Sequence, residues 1–229
     1  LESADHEVEL MSELRAWEGG GVAEKQRQIR AQGEQHARQL IETIRTRPED
    51  QQPDAWFSYH LYHKAPDWIG PAVCAALDIP YVVAEASYAA KQSDGPWAEG
   101  LTQVRHALQQ AAAIICVNPR DIPGLQQLPG SERKIHHLTP FTDLAEIPSI
   151  DRQTTRQRLA KHHGLALGLP WLVSVAMMRD DAKLSSYQQL AACVQQLSCP
   201  FQLLLVGDGR ARSQVEELFS SQLREYTRF

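Results

Sequence analysis

Short apolar runs alternate with longer amphipathic stretches along this chain, and the two carry different periods. Near the start, "HEVELMSEL" (6–14) alternates apolar and polar residues before "RAWEGGG", which predicts a strand over about 7–12 and then a Gly-rich loop. From Val22 to Arg47, Ile29, Ala37, Leu40, Ile41 and Ile44 recur at helical spacing among Gln, Arg and Glu, the pattern of one long or two short surface helices. "DAWFSYH" (54–60) reads as a strand. The helix after it places Ile69, Val73 and Leu77 on one face, with Asp67 as N-cap and Pro71 in the first turn. A strand at "YVVAEAS" (81–87), a helix in "WAEGLTQVRHALQQA" and strands at "AIICVN" (113–118) and "KIHHL" (134–138) repeat the unit. The order β-α-β-α-β predicts a parallel sheet with helices on both faces.

The pattern then restarts. "AEIPSIDRQTTRQRLAKHHG" is a Pro-containing link and a polar helix that Gly164 stops. "LPWLVSVAMM" reads as a buried strand, and the helix after it carries Leu184, Tyr187, Leu190, Ala191, Val194 and Leu197, with Ser185 and Gln188 as a capping box. "FQLLLVGDG" and "RARSQVEELF" form a second strand and helix. We therefore expect two α/β domains, 1–147 and 148–229, with the boundary at about 145–150 and the second domain incomplete.

Composition narrows the partners. A net charge of −5 with no long basic run lacks the electrostatic footprint of a nucleic-acid binder, so any anionic ligand must be held locally. The longest apolar stretches run to about ten residues, short of the ~20 that a transmembrane helix needs. Cys74, Cys116, Cys193 and Cys199 form no C-x-x-C pair and read as buried thiols of a reducing compartment.

The strand ends supply the candidate chemistry, because ligands of open parallel sheets sit at carboxyl edges, where helix N-termini offer free N–H groups. Arg179 follows the strand of the second half and Lys183 comes four residues later. Together they suit a diphosphate, with a planar fork of donors and a point charge. Equally, both can be solvated charges pairing with Asp180 or Asp181. Those two adjacent carboxylates lack a third ligand for a metal. Gly207 and Gly209 of the "GDG" turn permit close backbone approach to a ligand, or simply make a tight turn; Arg212 stands where a dinucleotide fingerprint has its third glycine. In the first half, "SYHLYHKAPD" (58–67) and "EASYAAKQ" (85–92) follow consecutive strands, so Tyr59, His60, His63, Lys64, Glu85, Tyr88 and Lys91 are candidates for one wall of a cleft facing the second half. His60 and Glu85 are expected to touch substrate. His60 and His63 lack the further nearby ligand that zinc requires.

These stretches carry a resemblance. "LVSVAMMRDDAKLSSYQQLAACVQQL" with "FQLLLVGDGRARSQVEEL" is similar to the donor domain of family 4, GT-B-type glycosyltransferases, and "WFSYHLYHKAPDWIGPAVCAALDIPYVVAEASYAAK" resembles a subgroup of their acceptor domains. The resemblance implies two Rossmann-like domains with parallel sheets. It also implies sugar transfer with retention from a nucleotide-diphosphate sugar to an acceptor that the sequence does not name, with a glycan or lipid-linked glycan as the candidate. Arg179, Lys183, Gly207 and Gly209 would then bind the donor, His60 and Glu85 would act in catalysis, Tyr59, Lys64, Tyr88 and Lys91 would line the acceptor side, and no metal would be required. A nucleotide-sugar epimerase of the same fold and a non-catalytic nucleotide-binding module are the alternatives. Family members have a His after the strand "YVVAEAS", where this chain offers Glu85 and Ser87, and Pro140 replaces a common Asn. The family's first strand would precede Leu1 and its acidic donor-sugar motif would follow Phe229. The expectation is thus a fragment of a cytoplasmic enzyme, weakly active when isolated, whose whole sits in the cytosol or peripherally at the inner membrane face.

Overall fold

The computed structural model describes residues 6–142, 149–220 and 227–229, and it divides into two compact units, 1–142 and 143–229. The expected boundary at 145–150 falls partly on residues outside that description.

In the first unit, helix α1 (Ala23–Arg45) is one continuous helix that buries Gly33, Ala37 and Ile44. Strands β1 (Trp56–Leu61), β2 (Tyr81–Ala86), β3 (Ala113–Cys116) and β4 (Ile135–His137) lie side by side in that order, all parallel. Helix α2 (Gly70–Leu77) connects β1 to β2, α3 (Ala98–Gln110) connects β2 to β3, and the short α4 (Ile122–Leu125) follows β3. One core joins them: Ile44 from α1, Val73 from α2, Val104 and Leu108 from α3, and Leu61, Val83 and Ile114 from the sheet. Burying each such side chain stabilises the fold by about 1.5–3 kcal/mol.

Asp67 locks the start of α2. Its Oδ1 accepts from the backbone N–H of Ile69 and Gly70, both at 2.8 Å, while Oδ2 accepts from Ser58 Oγ at 2.6 Å and the Tyr81 hydroxyl at 2.8 Å. The cap therefore also ties α2 to β1 and β2. Burial, and next the Asp67 carboxylate, push the Tyr81 phenol well above its ordinary pKa.

The strand expected over 7–12 does not form. Those residues pair with no strand, although Met11 and Leu14 pack on the core and Glu9 binds Arg47 through both carboxylate oxygens, at 2.6 and 2.9 Å. Alternation supplies a face but not a ladder partner, and a strand needs both. The Gly-rich loop after it is ordered by buried Glu18, whose carboxylate accepts from the N–H groups of Gly20, Gly21 and Val22 just before α1.

In the second unit, α5 (Arg152–His163) is capped by Asp151, which accepts from Thr154 N, and stopped by left-handed Gly164. Strands β5 (Trp171–Val175), β6 (Gln202–Val206) and β7 (Thr227–Arg228) form a parallel sheet in that order. Helices α6 (Ala182–Val194) and α7 (Arg212–Ser220) contribute Tyr187, Ala191, Val194, Val215 and Phe219 to a core with Leu203 and Leu205. The expected burial of β5 fails. At the sheet edge it leaves Val173 58 % and Val175 74 % exposed, whereas central β6 is buried along most of its length. The capping box at Ser185 and Gln188 also fails, because α6 begins three residues earlier, where Asp181 Oδ1 accepts from Lys183 N at 2.8 Å. Leu197 lies beyond the helix and is exposed. Of the four thiols, Cys74 and Cys116 are buried, but Cys193 and Cys199 are exposed, one on the outer side of α6 and the other in the loop before β6.

Candidate functional site

In each unit the candidate residues gather where strands end. At the carboxyl ends of β1 and β2, His60 has φ 68° and Glu85 has φ 54°, a left-handed backbone that non-glycine residues seldom adopt. The ladder pairs Tyr59 with Ala84 and Leu61 with Ala86, and the two distorted residues sit at the step between. Their side chains meet, with His60 Nδ1 3.3 Å from Glu85 Oε2. Two left-handed residues cost about 1–3 kcal/mol each. Burial does not repay that, since the His60 side chain is 57 % exposed and that of Glu85 32 %.

Tyr59 completes the group. Its hydroxyl and, after it, the His60 ring hold the Glu85 carboxyl below its ordinary range, and the same hydrogen bond raises the Tyr59 phenol. Tyr62, not singled out from the sequence, sets its ring edge-on to His60 at 5.0 Å. His63 lies edge-on between Tyr62 and Trp97; its Nδ1 is buried without a hydrogen-bond partner, and burial followed by nearby Lys64 lowers its pKa.

The other first-unit candidates stand apart from this pair. Lys64 places its ammonium 4.2 Å from the centre of the Trp97 ring, Tyr88 packs against the core, and Lys91 is exposed on the helical turn Ala90–Gln92. A concavity of about 320 Å³ between α1 and α3 is lined by Arg30, Trp68, Glu99, Arg105 and His106 among others, and includes none of the candidates.

In the second unit, Arg179 and Lys183 flank the start of α6. Arg179 Nε lies 3.2 Å from Asp181 Oδ2, so one carboxylate both caps the helix and pairs with the cation. Asp180, Arg179 and Lys183 are exposed. The neighbouring turn is stitched to this one: Met178 N donates to Asp208 O at 2.9 Å and Ala211 N to Met178 O at 2.9 Å. Gly207 and Gly209 both have φ 151°, and a side chain on either would run into a carbonyl oxygen, of Ala176 and Met178 respectively. The close approach these glycines allow is thus between the two turns themselves. Among the described residues, no three His, Cys, Asp or Glu side chains are grouped to hold a metal, and no helix is long and apolar enough to cross a membrane.

Comparison with solved structures follows the same lines. A glycosyltransferase from Rickettsia africae ESF-5 matches with a TM-score of 0.55 at 13 % identity, over 84 % of this chain and 49 % of its own. The catalytic domain of starch synthase IV from Arabidopsis thaliana, bound to ADP and acarbose, matches with a TM-score of 0.50 at 13 % identity, over 87 % of this chain and 51 % of its own. A UDP-GlcNAc 2-epimerase from Neisseria meningitidis bound to UDP-GlcNAc gives 0.47 at 12 % identity, over 89 % and 54 %. The chain thus spans about half the length of these structures. No family model and no curated protein matches the sequence. The first two likenesses show the fold: α/β with parallel sheets in Rossmann-like units, of the GT-B kind.

Proposed function

We propose that the protein is a family 4 glycosyltransferase, which moves a sugar with retention from a nucleotide-diphosphate donor to a glycan or lipid-linked glycan. The observation that carries this is the His60–Glu85 pair. Two strained, partly exposed, chemically competent side chains meet at the carboxyl edge of a parallel sheet, the edge where such sheets bind ligands. The fold likeness to glycosyltransferases, one of them bound to ADP, supports the nucleotide part.

On this proposal, Arg179 and Lys183 stabilise the departing diphosphate, and the amides of the Gly207–Gly209 turn lie beside it. A diphosphate would take over Arg179 from Asp181, a surface pair worth at most about 1 kcal/mol. His60 and Glu85 act on the acceptor, and Tyr59, Lys64, Tyr88 and Lys91 belong to its side of the reaction. Two cations suffice for the leaving group, so no metal is required and EDTA leaves turnover intact. The cytoplasmic place, peripheral at the inner membrane face, belongs to the same proposal and rests on the family resemblance.

The test incubates the protein with UDP-, ADP-, GDP- and dTDP-sugars and a panel of glycan acceptors, and detects released nucleotide and the mass gained by the acceptor. One donor should be consumed in an acceptor-dependent way, and only weakly by residues 1–229 alone. His60→Gln and Glu85→Gln should lower that turnover while changing stability by about 0.5 kcal/mol or less, as at exposed sites. Consumption of a donor sugar by epimerisation, with no acceptor gaining mass, would overturn the transferase assignment.

A further inference from the structure

We infer that the concavity between α1 and α3 is a second binding place, apart from the strand-end candidates, and that its ligand is one neutral, polyhydroxylated sugar residue of a glycan chain. This goes beyond the proposed transfer reaction and depends on it only for the presence of a glycan.

The walls are fixed by contacts that cross between elements. Arg30 of α1 donates through Nε to Glu34 at 2.6 Å and through Nη1 to Glu99 of α3 at 2.5 Å, and its guanidinium stands 5.4 Å from the centre of the Trp68 ring. Gly33 lets Trp68 lie against α1, since a Cβ there would meet Trp68 Cβ at 2.5 Å. Glycine inside a helix costs stability, and the close approach accounts for its place here. From the other side, Gln103 Nε2 donates to the Asp67 carbonyl at 2.6 Å, next to Trp68, which ties α3 to the segment that begins α2. The space so framed, about 320 Å³, lies at the lower end of small-molecule pockets, which span about 300–1,000 Å³.

Charge and hydrogen-bonding capacity select the ligand. Arg30 and Arg105 bring two positive charges to the lining, while Glu99 and the Glu34 carboxylate bound to Arg30 bring two negative ones, so the formal charges cancel. An ionic ligand gains little from such a field. Directional groups, by contrast, are plentiful. Along one face of α3, Gln103 keeps its Oε1 unused, and the side chains of Arg105, His106 and Gln109 have no partner among the described residues. Thr102 Oγ1 donates to Ala98 O at 3.0 Å and still accepts. Amide, imidazole and hydroxyl groups thus present donors and acceptors side by side, which suits a sugar hydroxyl because it is both at once. Half-buried Trp68 adds apolar surface for the C–H face of a pyranose.

The test titrates methyl glycosides of glucose, galactose, mannose and N-acetylglucosamine into the ¹⁵N-labelled chain without nucleotide, with glucuronate and glucose 6-phosphate as charged counterparts. At least one neutral glycoside should shift the Trp68 indole N–H, the Gln109 side-chain amide and the backbone of Glu99–Gln109 saturably, with a millimolar Kd. Neither charged sugar should bind more tightly. His106→Ala and Gln109→Ala, at exposed positions that the core does not use, should each weaken that titration about 3–10-fold, as for loss of one hydrogen bond, with the remaining amide spectrum unchanged. Absence of saturable shifts in the groove with every glycoside, tighter binding of either charged sugar, or unchanged affinity in both alanine variants overturns the neutral-sugar site. Donor consumption does not enter these titrations, so the site can fail while the transferase reading stands, and hold while that reading falls.

Discussion

His60 and Glu85 occupy matching places on neighbouring parallel strands, each with a left-handed backbone, and their side chains meet at 3.3 Å. A left-handed conformation costs an L-residue about 1–3 kcal/mol, and glycine escapes it. His60→Gly and Glu85→Gly should therefore be as stable as the parent or gain up to about 1 kcal/mol in urea melts. His60→Val, β-branched and ill suited to that backbone, should lose stability. Losses above about 1 kcal/mol in both glycine variants would show that the pair holds the fold.

Asp67 is the opposite case, a carboxylate whose work is structural. Asp67→Ala removes the acceptor of four hydrogen bonds, the one from the buried Tyr81 hydroxyl included. A loss of about 3 kcal/mol or more is expected, with Asp67→Asn milder, both measured by the urea midpoint. A change below about 1 kcal/mol in the alanine variant would contradict the role.

Glu18 gives the Gly-rich loop a dependence on pH. Burial raises its pKa, but the N–H groups of Gly20, Gly21 and Val22 outweigh burial, and the folded value lies below the ordinary 4.5. A carboxyl depressed on folding contributes stability that is fully present above 4.5 and is lost as pH falls through the folded value. Between pH 6 and pH 3 the urea midpoint of the parent should therefore fall more steeply than that of Glu18→Gln. Parallel curves would remove Glu18 from the account.

The turn proposed to hold the donor is testable by subtraction. Arg179→Ala and Lys183→Ala should each weaken nucleoside diphosphate binding by about 1.5–3 kcal/mol in calorimetric titration. Asp181→Asn keeps a cap for Lys183 N but removes the negative charge beside Arg179, so it should tighten binding. Unchanged affinity in both alanine variants would assign these cations to the solvated surface.

Most strands and helices were legible because each imposes its own period. The helical face of Ile69 and Val73 and the apolar run 201–206 needed nothing beyond local sequence. What failed depended on partners that sequence does not name. "HEVELM" has the alternation of a strand but no ladder, and "LPWLVSV" has the composition of a buried strand but sits at a sheet edge. At the site, strand-end position pointed to His60 and Glu85, but nothing in their identity announces a left-handed backbone. Asp67, expected as the N-cap, lies two residues before the actual N-cap Ile69 and accepts from the N–H groups of Ile69 and Gly70; its bonds from Ser58 and Tyr81, nine and fourteen residues away, were not legible. The GDG turn was legible as a close approach, while the approaching group, the carbonyls of Ala176 and Met178, was not.

Titrating UDP, ADP and GDP into the ¹⁵N-labelled chain and mapping the amide shifts tests the proposed nucleotide-diphosphate site. Saturable shifts confined to Arg179–Lys183 and Gly207–Gly209 are expected with at least one of the three. No saturable shift with any of them up to millimolar concentration, or shifts centred elsewhere, would contradict it.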